Sequence, residues 1–319
     1  MQKPSALYDV PPLRMARIRF ELRPKSTLRL GVEQRGDILR GSLGENLKRA
    51  NCDPACRDAK TCLRRNECAY ARLFEPLSDK GAMFGAQDAP RPFLLRPSLD
   101  LDPEFGPRRP LVFELRLFGA AIDAYAHFLG AFLALTQTRL YGHHVELSSA
   151  VSLDWMGRVA VALIDPSRIG QEKPLALDFS WTLDAPADGP RAQIEFMTPT
   201  RLNAKDADST VPSFSALIKR VRDRLSLLSL IWEEKEWRAQ YGVIGQLAEE
   251  ASAVNRDGGP ATYVRQSRRT NEKMFMTGFR GTVAYAGVSP KLWPLLRIGQ
   301  EIHAGRYTEW GLGRYRLVV

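Results

Sequence analysis

Twice along this chain the spacing of apolar residues runs through one order: strand, helix, strands, helix, strand. Ala16, Ile18, Phe20 and Leu22 alternate with Arg17, Arg19, Glu21 and Arg23, the period-two pattern of a half-buried strand. After Gly36-Asp37, Leu39, Leu43 and Leu47 recur four apart, which predicts a helix that Asp37 can cap. Leu111, Phe113, Leu115 and Leu117 predict a second strand, and Ile122, Tyr125, Leu129 and Phe132 a second helix. Val145, Leu147, Val151 and Leu153 predict a core-facing strand. Shorter strands fit 159–164 and Leu177, Phe179, Trp181, Leu183. The proline-rich stretch 90–110 predicts loop or extended chain.

Beyond a Pro/Gly/Asp linker at 185–190 the order restarts. Ala192, Ile194 and Phe196 mark a strand. Phe214, Leu217, Ile218, Val221, Leu225 and Leu228 mark a long amphipathic helix. A second helix fits 244–254, a hairpin fits 275–285 with its turn near Arg280-Gly281, a short helix fits 293–298, and a strand closes the chain at 314–319. This is the split βαβ pattern of ferredoxin-like domains, without a sequence repeat between the halves. The expectation is an α+β protein of two tandem ferredoxin-like (RRM-like) domains, 1–184 and 191–319, with a small cysteine-rich insertion at 52–70.

Charge narrows the partners. Lysine and arginine number 46 against 36 acids, a net charge of +10, which favours a polyanion such as nucleic acid. The most apolar stretch, Phe118 to Leu135, carries Asp123, Tyr125 and His127, so it reads as a buried helix rather than a membrane span. With no signal-peptide pattern in the first thirty residues, a cytoplasmic protein is expected.

All four cysteines, Cys52, Cys56, Cys62 and Cys68, fall in one short segment, separated by three, five and five residues. Four thiolates suit a tetrahedral zinc site with no open position for water, hence a structural one. An iron–sulfur cluster and four reduced thiols are the other readings, since the usual pair with two intervening residues is missing.

Near the C-terminus, Gly299-Gln300-Glu301-Ile302-His303-Ala304-Gly305-Arg306 runs into Thr308-Glu309-Trp310-Gly311-Leu312-Gly313-Arg314-Tyr315. Gly311 and Gly313 let a backbone approach a ligand and offer N–H groups, with Arg306 and Arg314 as flanking cations. A plain glycine turn between two strands is the other reading. Upstream, Arg265, Arg268, Arg269, Lys273 and Arg280 stand against the single acid Glu272, with Tyr263 and Phe275 able to stack on unpaired bases.

These segments together resemble the RAMP superfamily of CRISPR systems, and within it the endoribonucleases that cut precursor CRISPR RNA. Phe196-Met197-Thr198-Pro199-Thr200-Arg201-Leu202 resembles the opening strand of that family's second domain. Pro212-Ser213-Phe214 and the helix bearing Arg220 and Arg224 resemble its next element. Arg265-Gln266-Ser267-Arg268-Arg269 with Gly278-Phe279-Arg280-Gly281 resembles its basic hairpin. Cys68-Ala69-Tyr70 ends a cysteine cluster found in part of the family.

The resemblance implies two ferredoxin-like domains, repeat RNA or mature guide RNA as ligand, other effector subunits as partners, and cleavage without a metal or other cofactor. The RNA's 2′-hydroxyl would attack the next phosphate, leaving a 2′,3′-cyclic phosphate and a 5′-hydroxyl. Family members often carry a catalytic histidine on the first helix, and here that helix has none; Lys48 and Arg49 lie at its end. A non-catalytic RNA-binding subunit of an effector complex is therefore the alternative.

Four histidines are available for proton transfer. His127 reads as a packed residue and His303 as a support for the glycine loop. His143 and His144 precede a strand, with His143 on its core side and His144 on the other, facing a cleft between domains; a solvent-exposed pair is the competing reading. His144, then His143, with Lys48 for the phosphorane charge, are the candidate catalytic residues.

Overall fold

A computed structural model of the chain describes residues 7–53, 56, 59–77, 89–165, 168–169, 172–185, 188–202, 211–266 and 272–318. The chain divides into two compact units. The N-terminal unit holds Arg14–Leu177 with Ile231–Glu233, and the C-terminal unit holds Asp178–Leu230 and Glu234–Val319 with the residues before Arg14.

In the N-terminal unit β1 (Met15–Pro24) is followed by the two-residue β2 (Leu28–Arg29) and by α1 (Val32–Asn51). Then come α2 (Ala69–Leu73), β3 (Phe93–Pro97), β4 (Glu104–Phe105), β5 (Leu111–Phe118), α3 (Tyr125–Leu133) and α4 (Leu135–Thr138). β6 (Val145–Leu153), β7 (Val159–Asp165) and β8 (Arg168–Ile169) complete it. The sheet order is β3-β5-β1-β6-β7-β8, and each pairing is antiparallel. Its first four strands, with α1 and α3, make a split βαβ unit. Ala16, Ile18, Phe20 and Leu22 are buried, as the alternation predicts. Phe20 stacks on Phe113 at 5.2 Å and meets Phe132 at 4.8 Å. Truncating such a buried ring costs about 3–5 kcal/mol.

The C-terminal unit repeats the scheme. α5 (Trp181–Asp184) precedes β9 (Arg191–Thr200), α6 (Phe214–Trp232) and α7 (Tyr241–Glu249). β10 (Ser252–Gln266) and β11 (Lys273–Ala286) form a hairpin, followed by α8 (Trp293–Ile302) and β12 (Tyr315–Val318). The sheet order is β10-β11-β9-β12, again antiparallel. Both units are therefore ferredoxin-like.

Several local expectations are corrected. α1 begins at Val32, not at Asp37, because Gln34 turns back to accept the Gly31 N–H at 3.1 Å. The proline-rich stretch is loop and extended chain as expected, holding β3, β4 and a loop wound on a guanidinium. Buried Arg35 donates to the carbonyls of Leu30, Ser98, Asp100 and Asp102 at 2.7–3.2 Å and lies over the Phe105 ring. Periodicity cannot see a long-range cation clamp of that kind. Trp181 and Leu183 fall in a helical turn rather than a strand, and Leu177 makes only an isolated bridge to Met15. In β6, the pairing with β1 shifts between Glu21 and Leu22. The extra residue flips the parity, so Ala150 takes the buried place expected for Val151.

Candidate nucleic-acid interface

β9 pairs with β11 only from Phe279 onward, so β10 and β11 run on toward Gln266 and Lys273 as a two-stranded ribbon. The expected turn at Arg280-Gly281 is corrected: Gly281 lies within β11, opposite Gly258. Both have positive φ, and a Cβ on Gly281 would sit 2.2 Å from the Asp257 carbonyl oxygen, so two bare glycines let the strands cross this closely. Strand parity gives the ribbon two faces. Tyr263, Met274 and Met276 pack with Trp310 and Leu312, and the Arg265 guanidinium lies 5.6 Å from the Trp310 ring centroid. Thr262, Val264, Lys273, Phe275 and Thr277 occupy the other face, where Phe275 is 63% exposed beside its partner Val264. Of the two aromatics read as base-stacking, Phe275 is available and Tyr263 is packed. Arg280 is exposed opposite Gly259, while Arg268 and Arg269 lie outside the described residues.

The glycine loop is built by backbone geometry. Gly305, Tyr307, Gly311 and Gly313 all take positive φ. The N–H of Gly311 donates to the Thr308 carbonyl at 2.9 Å and that of Gly313 to Pro199 at 3.2 Å. The Thr198 hydroxyl donates to the Gly311 carbonyl and accepts from the Arg314 N–H. Both glycines are buried. The expectation that they offer free N–H groups to phosphate is thus corrected: those donors are spent inside the loop, and the glycines are there for shape. His303, fully buried, engages the Leu312 carbonyl through Nδ1 at 3.1 Å, as a support for the loop. Arg306 is exposed at the rim, its guanidinium 5.6 Å from the Tyr307 ring centroid, and Arg314 is half-buried. Arg224 on α6 donates to the Ile302 carbonyl at 2.8 Å. Desolvation pulls its guanidinium down to about 10, against the opposing pull of Glu309.

The histidine pair sits at the far side of a tight turn in the N-terminal unit. Leu140 and His143 exchange backbone hydrogen bonds around Tyr141 and Gly142, both at positive φ. His143 is half-buried, with Nδ1 3.3 Å from the Ser26 hydroxyl. His144 is exposed, on the same side of β6 as exposed Glu146 and Ser148, and its carbonyl accepts the Lys25 N–H at 2.9 Å. Lys25 and Ser26 were missed as candidates because nothing in the sequence joins position 25 to position 144; the β1–β6 register, Pro24 opposite Val145, does. His127 is exposed, not packed, because its helix turns that side outward.

Lys48 stands on a different element from the histidines. It lies in the last turn of α1, about 24 Å along the axis from the first turn at 1.5 Å per residue. Cys52 Sγ lies 3.7 Å from Cys68 Sγ, and Cys56 neighbours both Cys52 and Cys62. Burial, then the Cys68 thiol, pushes the Cys52 thiol up to about 12. Among the described residues no three His, Cys, Asp or Glu side chains are gathered as a ready metal site. Nor is any described helix long and apolar enough to cross a membrane.

Comparison with known proteins fits this arrangement. Residues 194–315 match the family model CRISPR-associated endoribonuclease Cas6, and residues 13–160 match an N-terminal domain model, AF_1859_N. No curated protein matches the sequence. Among solved structures, Thermus thermophilus Cas6 (TTHB231) superposes with a TM-score of 0.55 at 14% identity, covering 96% of this chain and 99% of that one. A product complex of Cas6 (TTHB231) gives 0.56 at 15% identity over 95% and 99%. A product complex of Cas6 (TTHA0078) gives 0.53 at 18% identity over 96% and 100%. The stretch from β9 to β12 thus matches the Cas6 endoribonuclease family model over residues 194–315, and the chain as a whole shares the fold of the Cas6 structures.

Proposed function

We propose that this chain binds CRISPR repeat RNA and cuts it in precursor transcripts, using the RNA's own 2′-hydroxyl as nucleophile. The observation that carries the reading is the Cas6 match falling on the unit whose ribbon presents exposed Phe275 between cations. A polyanion meets Lys273, Arg280 and Arg306 there, and an unpaired base meets the Phe275 ring. In the cut, the 2′-oxygen bonds to phosphorus and its proton passes to a base. The P–O5′ bond breaks, and the leaving oxygen takes a proton from an acid. A 2′,3′-cyclic phosphate and a 5′-hydroxyl result, with no metal-bound water required. His144 is the proton-transfer group, exposed at the start of β6, with His143 behind it. Lys25, exposed beside His144, takes the place of Lys48 as the cation for the phosphorane, since Lys48 stands at the far end of α1.

The test is a cognate repeat RNA with a single 2′-deoxyribose before the cut. Binding is retained and cleavage is lost, while the all-ribose substrate is still cut in excess chelator. His144→Ala slows that cut by about 10²–10⁴. Cleavage of the 2′-deoxy substrate overturns the mechanism. Tight binding with no cleavage of any repeat favours a non-catalytic RNA-binding subunit of an effector complex, a reading kept in view by an α1 that carries no histidine.

A further inference from the structure

We propose that Cys52, Cys56, Cys62 and Cys68 close around one zinc-class divalent ion that ties the end of α1 to the start of α2. Cys52 follows the last residue of α1, its N–H bonded to the Lys48 carbonyl, and Cys68 immediately precedes α2. The other thiols are held by backbone bonds: the Cys56 N–H donates to the Asp53 carbonyl, and the Cys62 carbonyl accepts from the Arg65 N–H. The Cys52–Cys68 sulfur separation of 3.7 Å is close to the edge of a tetrahedron with metal–sulfur bonds of about 2.3 Å, which is about 3.8 Å. A disulfide needs sulfurs at about 2.0 Å. Cys56 bridges Cys52 to Cys62, so the four thiols form a chain of neighbours that an ion gathers into one shell.

The packing supplies a reason for such a staple. Among the described residues between Cys52 and Cys68, only Ala59 is fully buried, and Leu63 is fully exposed. A segment with so little core needs a cross-link to hold one shape. Binding is balanced as four thiols plus M²⁺ giving the tetrathiolate and four released protons. The shell then carries two net negative charges, within Coulombic reach of Lys48.

The experiment uses the full chain purified without chelator, and no RNA, so its failure is separate from that of the nuclease reading. Elemental analysis is expected to give about one equivalent of zinc. Replacement by cobalt is expected to give a thiolate-to-cobalt charge-transfer band, absent in Cys62→Ser. Because that variant can misfold, the wild-type metal content and cobalt spectrum decide. Metal below about a tenth of an equivalent, with all four thiols titratable in the folded chain, overturns the proposal. So does an intact mass short of two hydrogens, which assigns Cys52 and Cys68 to a disulfide, and so does an iron–sulfur chromophore.

Discussion

The glycine loop and the basic ribbon share a hydrophobic seam through Trp310, Leu312, Met274 and Met276, yet they spend their polar groups in opposite ways. The loop turns its N–H groups inward, onto Thr308, Pro199 and Gly313, and buries its glycines. The ribbon pairs its two strands through the backbone and leaves Lys273, Phe275 and Arg280 outside. A glycine-rich signature here reports a shape that must be held, and the surface proposed to bind RNA is the neighbour that the shape supports.

That contrast is broken most severely by Gly313→Val. A Cβ there meets the Ala304 carbonyl oxygen at 1.9 Å, and φ is +67°, which a β-branched residue does not tolerate. The expected loss is more than about 4 kcal/mol, a fall in Tm of roughly 10 °C. RNA affinity measured well below the new Tm is expected to stay near that of the parent. A variant that keeps its Tm and loses RNA binding would make the loop a ligand site after all.

The ribbon sharpens the contrast from the other side. Phe275→Ala is expected to weaken RNA binding by roughly 1–3 kcal/mol, the range for one stacked base. Lys273→Ala and Arg280→Ala are each expected to lower the salt-dependence slope by roughly 0.7, one phosphate contact on a single strand. Tm in all three is expected to move by less than the equivalent of about 0.5 kcal/mol, since these side chains are exposed. Unchanged affinity and slope in the triple variant would remove the ribbon from the interface.

How much of this was legible follows from which interactions are local. Alternation at Ala16 to Leu22 and helical spacing at Phe214 to Leu228 are statements about near neighbours, and both elements form where the pattern puts them. The Arg35 clamp, which gathers carbonyls up to 67 positions away, leaves no periodic trace. Neither does the register that brings Lys25 beside His144, because strand pairing is fixed by the whole sheet. The two ribbon faces were legible in principle: Tyr263 and Phe275 differ in parity once Val264 is paired with Phe275, but that pairing needs the true turn. Arg280-Gly281 carries the glycine that a hairpin turn favours, and this glycine serves a close crossing instead.

The smallest expected effect lies where loop and ribbon meet. Arg265 belongs to the ribbon by sequence, and its charge suggests RNA, but its guanidinium lies over the Trp310 ring on the packed face. A half-exposed cation–π contact contributes about 0.5–1 kcal/mol. Arg265→Ala is therefore expected to cost stability of that order and to leave the salt slope of RNA binding unchanged. Arg265→Lys keeps the charge but loses the flat stacking surface, so it is expected to resemble the alanine variant in stability rather than the parent. If instead the slope falls by roughly 0.7 in the alanine variant and is restored by lysine, Arg265 contacts phosphate, and the packed face of the ribbon is part of the RNA path.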